Sequence, residues 1–475
     1  MKRIMRVIMA MAAAMFVLTF ALSALAQEAE PGATEITAPH VPAAPGRLII
    51  PASSMPQAIP AGHRFAAHTN VEILIPAGLK PDTPPYSGYG YETPQSVACH
   101  YGLVTTTDAP GCDPNTATVT PTGGSKTIAI VDAYDDPLAT LDLTVFSEQF
   151  GLPLPGSNFK VVWANSANSS CPVNYGFGVP EDPTGGWEFE ESLDIEWSHA
   201  MAPSAKIYLV EACSSYDSDL QQAVLVANNL VRCGLTEINP STGALGTCPT
   251  SSTGRGEVSM SWGSGEFAAQ TTSDSCANLD DSCFTAPGVV YLAATGDSPG
   301  VEWPSTSPNV VAAGGTTLRR NPTSFAFMQE TAWVVAGGGQ SFYETRPAYQ
   351  SSVSTITGNS RGVPDLSFVS DPNTGLWVRD TNNYENEINY GWWIAGGTSA
   401  AAPSLAAIIN NAASRSGVFA GSSSAELGTI YTDKAILADY TDITLDYCGL
   451  YMGTSTRTGY DLCTGVGVVR GYLGK

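Results

Sequence analysis

Between Lys126 and Ala413, short apolar runs alternate with stretches of helical spacing, and that alternation leaves the chain few folds to choose from. The runs "KTIAIVD" (Lys126–Asp132), "FKVVWA" (Phe159–Ala164), "AKIYLVEA" (Ala205–Ala212), "EVSMSW" (Glu257–Trp262) and "VVYLAATGD" (Val289–Asp297) read as buried strands. Leu138–Phe150, Phe189–Met201, Ser218–Val231 and Thr398–Ala413 carry the apolar spacing of helices. Strand and helix in turn predict an α/β fold. Its sheet is parallel, flanked by helices on both faces, and binds ligands beyond the C-terminal ends of the strands. The 475 residues, 43% of them apolar, suffice for one large domain of this kind and exclude a mostly disordered chain.

Charge and cysteine usage narrow the setting. Against 21 Lys+Arg stand 44 Asp+Glu, a net charge of -23, so no basic field exists to attract nucleic acid. Lys2, Arg3 and Arg6 precede an apolar run from about Val7 to Leu22 and then Ala24-Leu25-Ala26, which reads as a secretory signal over residues 1–26. Gln27-Glu28-Ala29-Glu30 follows without a basic stop signal, so no membrane anchor is expected after cleavage. All 10 cysteines lie in the exported part. Their simplest pairing joins near neighbours: Cys99–Cys112, Cys171–Cys213, Cys233–Cys248, Cys276–Cys283 and Cys448–Cys463. Residues 27–62, rich in Pro and Ala without a period, read as a flexible lead-in, and Asn70–Pro76 as one or two strands.

Three places could carry chemistry. In "GGTSAAAPSLAAIINNA", Gly396 and Gly397 permit a tight turn, Ser399 opens a helix, and Ala400–Ala402 leave space around it. A Ser so placed lies beside backbone N–H groups, as an acyl-transfer nucleophile needs, although Thr398 or Ser399 could merely cap the helix. None of His40, His63, His68, His100 and His199 sits in a Gly-flanked turn resembling that of a His-dependent serine peptidase, and His199 at a helix end reads as structural, so any base is a carboxylate. In the helix containing "EFEESLDIEW", Glu190 and Asp194 are four apart and share a face. Two carboxyls held close share a proton, and the upper pKa rises. With Glu188, Glu191 and Glu196 beside them, that helix alone reads more simply as a solvated acidic face. Finally, "LAATGDSPG" sets Asp297 at the sheet's C-terminal edge. A protonated carboxyl there could donate to a developing oxyanion, while the plainer reading is a turn-forming Asp.

Taken together and in order, "YETPQSVACHYGL", "ESLDIE", "SMSWG" (Ser259–Gly263), "ATGDSPGVEWPSTSPNVVAAGGTTL" (Ala294–Leu318), "RGVPDLSF" (Arg361–Phe368) and "GGTSAAAP" resemble the sedolisins. These are serine-carboxyl peptidases of subtilisin-like fold that use Glu and Asp where subtilisin uses His. The match runs from about Tyr91 to Lys475 and implies a catalytic domain over 91–475 behind a short N-terminal segment, 27–90. Family members typically carry a long folded activation domain there.

The resemblance implies Ser399 as nucleophile, Glu190 as general base, Asp194 as its orienting partner and Asp297 as the protonated oxyanion donor, with Ser261, Trp262 and Gly263 lining the substrate cleft. It also implies one structural Ca²⁺, held by side chains of Asp442 and Asp461 and carbonyls of Ile443, Arg457 and Gly459, the hard oxygen set that this ion prefers. The activity implied is that of a secreted acid endopeptidase, extracellular or periplasmic. It would be a monomer acting on polypeptides, with neither nucleic acid nor membrane as partner. A tripeptidyl-type exopeptidase and a catalytically silent binding protein are the alternatives.

Overall fold

Along the strand Thr127–Ala133 successive side chains enter two different cores: Ile128 and Ile130 pack on one face, Ala129, Val131 and Ala133 on the other. That alternation, repeated along neighbouring strands, is what a sheet covered on both faces demands. In the computed structural model, residues 34–36 and 46–475 are described, apart from 81, 83, 86–90, 105–112, 115–116, 165–177, 235–245, 247, 250, 274, 322–326, 383–389, 434–438 and 450–453. The expected signal at 1–26 lies outside the described residues.

The main sheet has the strand order 440–441, 468–469, 366–369, 311–320, 289–294, 256–260, 127–133, 206–212, 159–163. All neighbours from 468–469 to 159–163 pair in parallel. Helices Ala139–Phe150, Gly186–Met201 and Ala401–Ser416 cover one face, and Asp217–Cys233 covers the other. The expected strands and helices are present, with boundaries moved by a few residues. Strand order changes direction at Thr127–Ala133, so the space beyond its C-terminal end is the place for a site in a sheet of this kind.

Part of the stretch read as a flexible lead-in is ordered. Gly46–Ile50 pairs antiparallel with Glu72–Pro76, which pairs in turn with Gly391–Gly396, the strand that leads to Ser399. The apolar Leu48 and Ile49 are buried there, which a Pro/Ala-rich composition conceals. Two of the quoted motifs act as struts. In "YETPQS", Thr93 caps the helix Pro94–His100 through Ser96, and the Glu92 carboxylate takes the Arg320 guanidinium at 2.7 Å. In "RGVPDLSF", Arg361 forks onto both oxygens of Asp365, which also accept from Ala312 N (2.8 Å) and Tyr431 Oη (2.7 Å).

Disulfides Cys233–Cys248, Cys276–Cys283 and Cys448–Cys463 form as expected. Cys99 and Cys213 are disulfide-bonded too, while Cys112 and Cys171 lie outside the described residues. No helix among the described residues is long and apolar enough to cross a membrane.

Candidate active site

The acidic helix is not a solvated face. Every residue of Gly186–Met201 is buried: the helix packs on the main sheet between helices Ala139–Phe150 and Ala401–Ser416, and also touches the strand Leu376–Asp380 of a second sheet. Burying carboxyls favours their neutral form. Glu190 is held well above the usual carboxylate range, first by burial and next by the Asp132 charge. Asp194 is raised likewise, by burial, then by Asp132 and Glu190. Asp132, at the end of Thr127–Ala133, is itself pushed up to about 8 by burial, and neither of its oxygens has a hydrogen-bond partner among the described residues. Sequence reasoning passed over Asp132. The signal was there, an acid closing an apolar strand run at the sheet's C-terminal edge, the same signal that singled out Asp297.

Ser399 sits in the 3-10 turn Thr398–Ala400 and so precedes the helix Ala401–Ser416 rather than opening it. Neither Thr398 nor Ser399 caps that helix through its side chain. The turn needs glycine at 397, where φ is 99° and a Cβ would lie 2.1 Å from Asn70 O and 2.5 Å from Asp297 Oδ2. Ser399 Oγ donates to the Ser261 carbonyl at 3.0 Å. Ser399 and Asp194 both face the Glu190 carboxyl, but neither completes a well-formed hydrogen bond to it. Resting sites often hold catalytic hydrogen bonds loosely.

Asp297 is fixed by its neighbour in the turn. Its Oδ1 accepts from Thr398 N (2.7 Å) and Thr398 Oγ1 (2.9 Å), while Oδ2 is buried without a partner. Burial holds the Asp297 carboxyl well above the usual range, and the Thr398 donors only partly oppose this. The Ser399 N–H points at the carbonyl of Asn70, 3.0 Å away. A backbone N–H and a carboxyl that can carry a proton therefore flank one carbonyl oxygen.

The strand expected to run through Trp262 ends at Met260, and a second strand, Trp262–Gly265, joins another sheet. The break falls at Ser261, whose carbonyl accepts both Ser399 Oγ and Asn70 N, and whose Oγ donates to Asp194 Oδ1 at 2.9 Å. Of the three expected cleft residues, Trp262 turns its indole into the core, donating to Val131 O at 2.8 Å. Its backbone and that of Gly263 pair antiparallel with Thr69 and His68. His199, bonded to Pro153 O at 2.7 Å, is structural, as its place at a helix end suggests.

At the C-terminus one turn brings the expected metal residues together: Arg457 N donates to Asp461 Oδ2 (3.1 Å) and Gly459 N to Asp442 Oδ2 (2.8 Å). Asp442 Oδ1 is an acceptor shielded from solvent without a donor, which an added cation would satisfy. Among the described residues no group of three or more His, Cys, Asp or Glu could hold a metal ion, so any site here depends on carbonyls such as those of Ile443, Arg457 and Gly459.

Comparison with known proteins bears on this arrangement. No family model matches the chain. It is 27% identical over 367 residues to sedolisin of Pseudomonas sp. (strain 101), covering 74% of this chain and 57% of that protein. With kumamolisin of Bacillus sp. (strain MN-32) it shares 30% over 315 residues, covering 61% and 51%. Over much of its length the chain is similar to the sedolisins. It spans about half the length of these two relatives. Xanthomonalisin of Xanthomonas sp. (strain T-22) matches over 264 residues at 28% identity, covering 44% of this chain and 30% of that protein. The fold agrees with the solved Pseudomonas sedolisin, a serine-carboxyl proteinase complexed with two molecules of pseudo-iodotyrostatin. The TM-score is 0.59 at 23% identity, over 80% of this chain and 95% of that one. The architecture is thus the subtilisin-like one of that family.

Proposed function

We propose that this chain is an exported serine peptidase that hydrolyses polypeptides in acid through an acyl-enzyme on Ser399. The observation that carries this is the convergence, around one carbonyl oxygen, of the Ser399 N–H and the buried, unpartnered Asp297 Oδ2, with Glu190 and Asp194 behind Ser399. Glu190 takes the Ser399 proton as Oγ attacks. Asp194, anchored by Ser261 Oγ, shares the proton that keeps the pair from carrying two charges. Asp297, protonated, donates to the oxyanion together with the Ser399 N–H, and Glu190 passes its proton to the leaving amine. In this reading residues 1–26 are a signal, 27–90 a pro-segment and 91–475 the peptidase domain. Cleavage within chains, rather than of N-terminal tripeptides, is the mode proposed.

Acid is required because Asp297 must keep its proton while the Glu190–Asp194 pair keeps a base. Burial holds Asp297 above the usual range, so it keeps its proton through acid; a rate maximum is expected near about pH 3–5, declining toward neutrality as the last shared proton leaves. Digestion of an unstructured protein across this range, with product masses recorded and Ser399→Ala as control, tests the activity. Internal fragments mean an endopeptidase and a ladder of tripeptides an exopeptidase. A rate still climbing through neutral pH on folded enzyme refutes the acid mechanism.

A single Ca²⁺ is proposed at Asp442, Asp461 and the carbonyls of Ile443, Arg457 and Gly459, where it would supply stability rather than chemistry. A ligand that binds only the folded state stabilises it by mass action. Chelation is expected to lower the melting temperature of Ser399→Ala at neutral pH. Coincident curves with excess calcium and with chelator would remove the site.

A further inference from the structure

Thr398 ties the turn that carries Asp297 to the turn that carries Ser399. Its buried hydroxyl accepts the Gly296 N–H at 3.0 Å, and its one hydrogen goes to Asp297 Oδ1 at 2.9 Å. The Thr398 N–H reaches the same oxygen at 2.7 Å. Gly296 is held from its other side too, its carbonyl accepting the Gly337 N–H at 2.8 Å. Residues 296 and 297 therefore cannot swing away from the nucleophile turn without leaving buried donors and acceptors unpaired.

The chemistry of a carboxyl then fixes where its proton lies. A carboxyl oxygen has two lone pairs, and on Oδ1 both are taken by the Thr398 donors. The proton is left to Oδ2, which is buried with no hydrogen-bond partner among the described residues. That oxygen borders the bare Cα of Gly397, as does the Asn70 carbonyl oxygen that takes the Ser399 N–H: a Cβ at 397 would lie 2.5 Å from the first and 2.1 Å from the second. The proton is thus presented on the side where an oxyanion forms.

We propose that Thr398 is a positioning residue that decides which oxygen of Asp297 carries the proton and so aims that proton at the oxyanion. The inference rests on the peptidase reading above and adds the residue that orients its acid. The Thr398 hydroxyl has two effects of opposite sign on the reaction. It orients the acid, and by donating to Oδ1 it also favours the ionised form, against burial and the neighbouring Glu302 carboxyl. Glu72 and Glu190 also face Asp297, from the strand Glu72–Pro76 and the helix Gly186–Met201, and both are raised in part by it. A substitution at 398 leaves all three of these carboxyls in place. Removing the hydroxyl should therefore slow the enzyme and, at the same time, keep Asp297 protonated to higher pH.

The test compares wild type with Thr398→Val, which keeps the side chain's shape without its hydroxyl, and Thr398→Ser, which keeps the hydroxyl. Hydrolysis of a quenched-fluorescent peptide is followed as kcat and KM from acid to neutral pH. Thr398→Val is expected to lower kcat by about 10-fold or more with KM little changed, because what is lost is a contact of the transition state. Its rate should fall off on the neutral side at a pH higher by about one unit. Thr398→Ser should recover both properties. In an Asp297→Ala background Thr398→Val should cost less than about twofold more, since a positioning residue has no task once its acid is gone. A loss of kcat that is equal in both backgrounds overturns the inference, as does a neutral limb that stays in place or moves toward acid, the direction expected if the substitution merely let water in beside the carboxyl. If circular dichroism shows Thr398→Val unfolded, Thr398→Ala is judged by the same outcomes. Wild type that hydrolyses the peptide while Thr398→Val keeps its kcat and its profile overturns this inference and leaves the peptidase reading standing. Folded wild type that hydrolyses nothing at any pH overturns both.

Discussion

Ser399→Ala, Glu190→Gln and Asp297→Asn are each expected to lower turnover by roughly 100-fold or more, because nucleophile, base and oxyanion donor act as one unit. The double variant Ser399→Ala/Glu190→Gln should be little worse than Ser399→Ala alone, since a base has no task without its nucleophile. Asp194→Asn should be damaging but less so, its Ser261 hydrogen bond being one an amide oxygen can still accept. Asp132→Asn is expected to act differently. Asp132, pushed up to about 8 by burial, is neutral where the enzyme works, so an amide in its place leaves the charge around Glu190 and Asp194 unchanged in acid. The pH–rate profile should keep its acid position, with a smaller loss at its maximum than the catalytic variants show. Steady-state kinetics across pH, with circular dichroism to show folding, decide the matter. A profile displaced in acid by Asp132→Asn would mean that Asp132 carries its charge there after all. A larger loss in Glu191→Gln than in Glu190→Gln would assign the base to the wrong carboxyl.

Much of this was legible in the sequence because it was local. Apolar runs marked the strands, Gly396-Gly397 marked the turn before Ser399, and a spacing of four put Glu190 and Asp194 on one face. What escaped depends on contacts between distant segments. That the acidic helix is buried follows from its packing among the main sheet, the helices Ala139–Phe150 and Ala401–Ser416 and the strand Leu376–Asp380, which its composition does not announce. The strand break at Ser261 arises because its carbonyl faces Ser399 and Asn70, and no feature of "EVSMSWG" reports that. Asn70 itself lies in a stretch whose period suggested a strand and nothing more. Its meaning comes from the partner of its carbonyl, and a hydrogen bond between remote residues leaves no periodic trace.

The folded protein is expected to be most stable in acid and to weaken as pH rises toward neutrality, the reverse of proteins whose paired carboxylates drive acid unfolding. Its buried carboxyls have few cations to offset them. Asp132, Glu188, Glu257 and Asp281 are pushed up to about 8, and Asp136 and Glu426 to about 7, in every case first by burial. Glu191, Glu196, Glu211 and Asp380 are raised well above the usual range.

A carboxyl raised in the folded state holds a proton that the unfolded chain gives up near pH 4, so the folded state binds more protons between the two values. Its contribution is complete below about pH 4 and is lost as pH climbs through the folded value, a window closing near about pH 7–8. Each such group costs up to about 1.4 kcal/mol per pH unit within that window, and two or three acting together rival the ~5–15 kcal/mol that a domain has in hand. Melting curves of Ser399→Ala from acid to neutral pH, at fixed calcium and salt, should therefore show a falling midpoint. Glu257→Gln isolates one group. Glu257 lies in the strand Gly256–Met260, accepting from Asn410 Nδ2 at 2.6 Å, and an amide oxygen can keep that bond without ever ionising. The variant should match its parent in acid and exceed it at neutral pH by roughly 1–3 kcal/mol. A midpoint that rises toward neutrality, or a Glu257→Gln variant weakened equally at both ends, would mean that these carboxyls are not held protonated in the folded protein.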